Sequence, residues 1–195
     1  MIASNSHRPF QVLVAVLVAL ASALPVSAAD RQTTVIVVRH AEKVDDSRDP
    51  ALSPAGQARA RALSEVLADA GLDAAYASQY RRTRLTAEPA AAAAGVEVTV
   101  EPIEGTIDTW AEDFARKLIA HHPTQTVLVV GHSNTVPALV AALCACRVEA
   151  LSETDYDRIY ILNMAEQGAQ PRFDLIRARY GIPAPKSRAK PPGEM

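Results

Sequence analysis

Two stretches of the chain are unbroken aliphatic runs, and each run ends at a histidine. Residues 34–38 lead into Arg39 and His40, and residues 127–131 lead into His132. Such runs are typical of strands that are covered on both faces, as in a parallel sheet. In open α/β sheets, ligands bind just beyond the carboxyl ends of the strands. If the two strands are parallel and close, the pattern predicts that the two histidines meet at one edge of the sheet.

Helical and strand patterns alternate along most of the remaining sequence. Apolar positions at helical spacing, with Ser53 as an N-cap, predict helices over residues 54–70, 81–94, 110–121 and 135–143. Short apolar or alternating runs predict further strands over residues 73–77, 96–100, 158–164 and 172–178. This alternation predicts an α/β sandwich in which helices cover a mostly parallel central sheet.

The first residues have the layout of a secretory signal peptide. Residues 10–24 are almost entirely apolar, and small residues follow at 26–28. The run is shorter than the ~20 residues that a membrane-spanning helix needs. We therefore expect a signal peptide at 1–28 and a single domain at 29–181, with secretion across the inner membrane to the periplasm. The tail at 182–195 is rich in proline and lysine, and its composition predicts disorder.

Charge and cysteine content narrow the possible partners. The formal net charge of −2 gives no indication of a nucleic-acid or anionic-membrane surface, and we expect no stable membrane anchor after leader removal. Cys144 and Cys146 are the two cysteines of the chain. Export would allow the two cysteines to be oxidised, and the sequence leaves their oxidation state open. We favour the interpretation as small apolar residues at a helix end, because a bridge across one residue is strained. A metal site is not expected, since a second cysteine pair is missing.

Four segments together resemble one protein family. Arg39-His40-Ala41 resembles the Arg-His-Gly signature of the histidine phosphatase superfamily, which includes phosphoglycerate mutases and bacterial phosphohistidine phosphatases. The segments that resemble the family's other motifs follow in the same order, at residues 52–56, 78–87 and 131–133. The resemblance implies a phosphoglycerate mutase-like fold, a three-layer α/β sandwich around a mostly parallel sheet.

The resemblance also implies roles for particular residues. It makes His40 the nucleophile that accepts the phosphoryl group, with Arg39, Arg82 and His132 binding the phosphoryl oxygens. The residue types suit this chemistry, because a nucleophilic imidazole must be neutral and nearby arginines lower its pKa. Phosphoryl transfer also needs positive charge around the equatorial oxygens.

The proton donor is less well defined by the sequence. Many family members carry a glutamate after the third strand, and Glu101 is a partial match, with Glu104 and Asp108 as rivals. Ser133 and Asn134 are candidate phosphate contacts, although capping of the following helix is their default interpretation.

The sequence therefore predicts an exported phosphatase that acts through a covalent phosphohistidine on a phosphomonoester or a phosphoramidate. No metal or organic cofactor is expected, and the partner is a small phosphorylated substrate or a phosphoprotein. If the acid is missing, substrates with good leaving groups are favoured. Two alternatives stay open, a phosphoglycerate-mutase-type isomerase and a non-catalytic module that binds a phosphorylated ligand. The sequence leaves the substrate and the oligomeric state open.

Overall fold

The computed structural model describes residues 32–167 and 170–183. The predicted signal peptide at 1–28 and most of the predicted tail at 182–195 lie outside the described residues. Ten elements follow one another along the chain, namely β1 (Thr34–Arg39), α1 (Pro54–Val66), β2 (Leu72–Ala77), α2 (Arg81–Ala94), β3 (Val98–Val100), α3 (Ile107–His121), β4 (Thr126–Gly131), α4 (Thr135–Cys144), β5 (Arg158–Gln167) and β6 (Gln170–Arg179).

These strands form one sheet in the order β3-β2-β4-β1-β5-β6. The pairs β2–β3, β2–β4 and β1–β4 are parallel, whereas β5 pairs antiparallel with both β1 and β6. Parallel neighbours are possible because a helix crosses over between successive strands. The mostly parallel sheet predicted from the sequence is thus confirmed, with an antiparallel hairpin added beside β1.

Helices cover both faces of the sheet, because its strands are apolar on both sides. On β1, Val35 and Val37 pack with residues of α3 and α4, including Phe114. Ile36 and Val38 point to the other face and pack with residues of α1 and α2, including Leu63. Alternation of side chains along a strand produces this division. The three-layer sandwich is therefore confirmed.

The helix boundaries follow from local capping. Ser53 caps α1 as predicted, and its hydroxyl accepts a hydrogen bond from the Gly56 N–H at 3.1 Å. The third helix begins three residues earlier than predicted, at Ile107, because the Thr106 hydroxyl accepts a bond from the Thr109 N–H at 3.2 Å. α2 contains Pro89 and runs on to Ala94, although a proline inside a helix removes a backbone hydrogen bond.

The two cysteines differ from the prediction. Cys144 and Cys146 are joined by a disulfide, so the interpretation as two small apolar residues was wrong. Between them Ala145 adopts a left-handed conformation, with φ of 49°. This turn brings the two Cα atoms to 5.1 Å, which is within the usual range for a disulfide. No sequence pattern predicted the turn.

A buried ion pair fixes α1 against the segment that follows β1. Arg59 is 6% exposed, and its guanidinium binds the Glu42 carboxylate through Nε at 3.0 Å and Nη2 at 2.7 Å. The same guanidinium donates to the carbonyls of Tyr180 and Ile182. One side chain therefore joins the residues after the first strand to those after the last.

Within the described ranges, none of the helices combines the length and apolar character needed to cross a bilayer.

Candidate active site

The pairing of β1 with β4 brings the two histidines together. Arg39 and Gly131 are partners in the parallel register, and the His40 N–H extends the ladder to the Gly131 carbonyl at 2.9 Å. His40 and His132 follow directly, and their ring centroids lie 5.3 Å apart. The predicted meeting of the two imidazoles at one edge of the sheet is confirmed.

The hydrogen bonding of His40 selects one tautomer. Its Nδ1 lies 2.8 Å from the Ala41 carbonyl oxygen. A carbonyl only accepts, so Nδ1 carries the hydrogen and Nε2 keeps its lone pair. The pKa of His40 is lowered to about 4, chiefly by burial and to a smaller extent by the charges of Arg39 and Arg82, against the opposing effect of the Ala41 bond. The imidazole is therefore neutral at neutral pH, chiefly through burial and only secondarily through the arginines.

His132 is neutral as well, in the opposite tautomer. Its Nδ1 faces Nη2 of Arg82 at 3.4 Å, and its Nε2 lies 2.8 Å from the Ser78 hydroxyl oxygen. A guanidinium only donates, so Nδ1 is the acceptor and Nε2 carries the hydrogen. Burial is the main reason that the pKa of His132 falls to about 3, followed by the nearby His40 and Arg82.

A chain of hydroxyl groups holds His132 from behind. The Ser78 hydroxyl is 2.9 Å from the Thr83 hydroxyl, which donates to the Tyr80 carbonyl at 2.7 Å. The directions that satisfy every group run from His132 Nε2–H to Ser78, then to Thr83, then to the carbonyl. Ser78 and Thr83 are both buried. The segment at the end of β2 thus fixes the orientation of the ring.

Arg39 is the most enclosed cation of the site, at 2% exposure. Its Nη1 donates to the Ser152 carbonyl at 2.7 Å, and its Nη2 binds the Glu153 carboxylate at 3.0 Å. The Tyr156 ring lies 4.3 Å from the guanidinium carbon. The buried Nε has no hydrogen-bond partner, so this side chain retains donor capacity.

Arg82 projects from the first turn of α2 into the same space. Its guanidinium carbon lies 4.4 Å from the centre of the Tyr80 ring, and its buried Nε has no hydrogen-bond partner. Burial is the main reason that its pKa is lowered. Arg84, two residues further on, does not line the cavity described next. The register that assigned the second pocket arginine to Arg82 therefore agrees with the geometry.

Both histidines and both arginines line a cavity of about 530 Å³. The predicted substrate contacts Ser133 and Asn134 also line it. Asn134 occupies the N-cap position of α4 without a side-chain capping bond. The cavity is completed by residues not singled out in the sequence, namely Lys43, Ser47, Arg48, Gln79, Tyr80, Ile103, Ile107 and Glu153. The site is thus strongly cationic.

The carboxylates proposed as proton donors lie elsewhere. Glu101 accepts a bond from Lys117 Nζ at 2.5 Å, and neither it nor Glu104 or Asp108 lines the cavity. Within the described part of the chain, Glu153 is the carboxylate that does. It was missed because it lies on a segment without periodicity, between α4 and β5.

A close packing at the end of β4 sets the position of His132. The Thr135 hydroxyl oxygen accepts the His132 N–H at 2.8 Å. A Cβ on Gly131 would lie 2.7 Å from that same oxygen. Glycine is required here because any side chain would displace the group that anchors the histidine backbone.

The residues described offer no built metal centre, since no three His, Cys, Asp or Glu side chains among them are placed to hold an ion.

Comparisons with known proteins agree with this geometry. Residues 35–103 match the family model described as histidine phosphatase superfamily (branch 1). By sequence alone, none of the curated proteins compared is detectably similar. Several solved structures share the fold. A mycobacterial glucosyl-3-phosphoglycerate phosphatase superposes with a TM-score of 0.61 at 18% identity, over 74% of this chain and 97% of that one.

Two other structures show the same likeness. Bacillus stearothermophilus YhfR has a TM-score of 0.60 at 18% identity, over 73% of this chain and 95% of its own. Entamoeba histolytica phosphoserine phosphatase has a TM-score of 0.55 at 16% identity, over 77% of this chain and 98% of its own. At these identities the likeness establishes a common fold.

Proposed function

We propose that this chain, in which residues 35–103 match the histidine phosphatase superfamily model, is a phosphatase that hydrolyses its substrate through a phosphohistidine on His40. The observation that carries the proposal is the state of this imidazole. Its Nδ1 hydrogen is engaged by the Ala41 carbonyl, and its Nε2 lone pair is free at neutral pH. A buried neutral nucleophile beside two guanidinium groups is what attack on a phosphoryl group requires.

The reaction follows from this arrangement in two steps. Nε2 of His40 attacks phosphorus, the bond from phosphorus to the leaving oxygen or nitrogen breaks, and that atom takes up a proton from water. Water then attacks the phosphohistidine, the P–N bond breaks, and inorganic phosphate leaves. Arg39 and Arg82 stabilise the negative charge on the phosphoryl oxygens in both steps.

The carboxylates of the site favour substrates with good leaving groups. Glu101 lies outside the cavity and is engaged by Lys117, and Glu153 is paired with the Arg39 guanidinium. A phosphohistidine, an acyl phosphate or an aryl phosphate has a good leaving group and needs little proton donation from the enzyme. We therefore place phosphohistidine-like and aryl phosphates ahead of alkyl phosphomonoesters as substrates.

Export to an oxidising compartment completes the proposal. The apolar run at residues 10–24 supports it from the sequence. The disulfide between Cys144 and Cys146 supports it independently, because disulfides persist mainly in exported proteins. Recovery of a protein that begins at Met1 from the periplasm would count against a cleaved leader.

The test uses His40→Ala with p-nitrophenyl phosphate as substrate. We expect the variant to lose turnover, and we expect alkaline denaturing quenching of the wild type with labelled substrate to trap a base-stable, acid-labile adduct on His40. His121→Ala is the matched control, because His121 is an exposed histidine at the end of α3. Turnover by His40→Ala near the wild-type rate would refute the proposed nucleophile.

A second candidate is a module that binds a phosphorylated ligand without turnover. One observation favours it, namely that Nη2 of Arg39 already donates a hydrogen bond to the Glu153 carboxylate. Such a protein would retain phosphate and vanadate yet form no adduct on His40. The isomerase alternative differs in its product, because it would return the phosphoryl group to the substrate without releasing inorganic phosphate.

A further inference from the structure

A second cavity, of about 590 Å³, lies beside the candidate active site and plays no part in the proposed reaction. It is lined by Arg147 after α4, by Arg158 and Tyr160 of β5, and by Arg177 of β6. Glu149, Ala150 and Leu151 complete the lining. Three guanidinium groups thus face one carboxylate, in a chain whose formal net charge is −2.

The arginines of this cavity lack the carboxylate partners that usually accompany such clusters. None of the three forms an ion pair with any residue that the structure describes, Glu149 included. The Arg158 Nε is buried without a hydrogen-bond partner. Arg177 Nη2 reaches the Arg147 carbonyl at 3.5 Å, a long and weak contact. The unpaired buried N–H of Arg158 is unfavourable unless a hydrogen-bond acceptor compensates it, and an oxyanion in the cavity would supply one.

Strand register places Arg158 and Arg177 on the same face of the sheet. Tyr160 pairs with Arg177 across β5 and β6, and Arg158 lies two residues before Tyr160 on the same side of its strand. Tyr160 also pairs with Val37 of β1, and Arg39 lies two residues beyond Val37 on that side. The β1–β5 ladder ends at the pair Val38 and Ile159, which are the chain neighbours of Arg39 and Arg158.

A short segment separates the two cavities. Leu151 lines the arginine cavity, the carbonyl of Ser152 accepts from Arg39, and Glu153 lines the candidate active site. A ligand in either cavity therefore lies close to the other cavity. Asp155 follows in the same segment, and against the effect of burial its pKa is lowered by hydrogen bonding to Ser152 and, to a smaller extent, by the charge of Arg158.

We propose that this arginine cavity is a second oxyanion site, which takes a phosphate or carboxylate group through the guanidinium groups of Arg147, Arg158 and Arg177. Planar guanidinium groups bind such oxyanions through paired, charge-assisted hydrogen bonds. The Tyr160 hydroxyl adds a neutral donor. The anion belongs either to a substrate whose phosphoryl group is at His40 or to a separate small molecule, and the recognition chemistry is the same.

Binding of inorganic phosphate to the full chain tests the site. Calorimetric titration should give a stoichiometry near two for the wild type, and Arg177→Ala should remove one site or weaken it by about tenfold. Arg177→Lys should restore part of the affinity, and Arg84→Ala, outside both cavities, should leave both sites intact. Because Arg177 is exposed, we expect the Arg177→Ala variant to fold like the wild type. Circular dichroism spectra of the two proteins check this. Binding that is unchanged in Arg177→Ala and in Arg158→Ala would overturn the proposal.

The same titration separates this proposal from the proposed function. If the His40 site fails to bind phosphate, a single site remains that Arg177→Ala removes and Arg82→Ala does not. If the arginine cavity is empty in solution, a single site remains with the opposite sensitivity. The two failures therefore give distinct results.

Kinetics then identify the source of the anion. For a substrate with a second anionic group, such as an alkyl bisphosphate, Arg177→Ala should raise KM by about tenfold while KM for p-nitrophenyl phosphate is unchanged. That result assigns the cavity to the substrate. Unchanged KM for both substrates, together with the lost phosphate site, assigns it to a separate anion. Either result supports the site.

Discussion

Nδ1 of His132 accepts from Nη2 of Arg82 across 3.4 Å, so the late histidine positions the arginine rather than presenting a proton of its own to the cavity. The interaction depends on the tautomer that Ser78 selects at Nε2. The cationic group available for a phosphoryl oxygen on this side is therefore Arg82, with His132 as its hydrogen-bond acceptor.

Arg82→Ala should lower kcat/KM on p-nitrophenyl phosphate by roughly 100-fold or more, because removing one preorganised donor typically costs ~3 kcal/mol of transition-state stabilisation. Arg84→Ala is the matched control on the same helix, since Arg84 does not line the cavity. An equal loss in both variants would show that the arginine acts through the fold of α2 and not through the substrate.

The pH dependence should reflect the low pKa of His40. Its neutral form is the nucleophile, and its pKa lies at about 4 in place of 6.5. The rate attributable to this group is therefore retained as pH falls through 6.5 and is lost only near pH 4. A kcat/KM profile that declines with an apparent pKa near 6.5 would contradict this.

The same shifts predict acid sensitivity of folding. Both His40 and His132 have lower pKa values in the folded chain than when unfolded, at about 4 and about 3. Between pH 6.5 and 4 the unfolded chain binds more protons, so stability is complete above pH 6.5 and falls as pH decreases through this window. Urea denaturation across this range should show a shallower slope for His132→Asn than for the wild type.

Glu153→Gln should strengthen the binding of inorganic phosphate. The carboxylate competes with phosphate for Arg39 and repels it, yet the Glu153 side chain is 82% exposed, so the effect is modest. Exposed ion pairs are worth about 0.2–1 kcal/mol, and we therefore expect a Ki for phosphate lowered by up to about fivefold. A higher Ki would contradict this competition, and a large fall in kcat confined to substrates with poor leaving groups would identify Glu153 as a proton donor.

Glu42→Gln should destabilise the fold by roughly 3 kcal/mol, because it leaves the buried Arg59 guanidinium without its charge partner. Asp46→Ala is the comparison, since the Lys43–Asp46 pair is exposed and worth little. Urea unfolding monitored by circular dichroism measures both. Similar small losses in the two variants would show that carbonyl contacts alone satisfy Arg59.

Features fixed by strong local physics were predictable from the sequence. The runs that precede His40 and His132 can only be buried strands, and their parallel pairing delivers both rings to one edge. The Ser53 cap follows from its position before Pro54. Contacts between residues that are far apart in the sequence were not predictable. Glu153 reaches Arg39 from 114 residues away on a segment without periodicity.

Energetic causes were also harder to predict than positions. The sequence suggested that arginines would keep His40 neutral, whereas burial has the larger effect on its pKa. The degree of burial depends on packing from several elements at once, including the contact of Tyr156 with the His40 ring. Residue types alone carry no information about that enclosure.

The residue-for-residue pairing of Arg39 with Gly131 has a consequence for how this protein can diverge. A single insertion within β1 or β4 would reverse the faces of every following side chain and separate the two imidazoles. Insertions at residues 44–51 or 145–157 would leave that pairing unchanged and would alter the lining of the active-site cavity, to which both connections contribute. New specificities can therefore arise by lengthening these connections, with the reactive centre inherited unaltered.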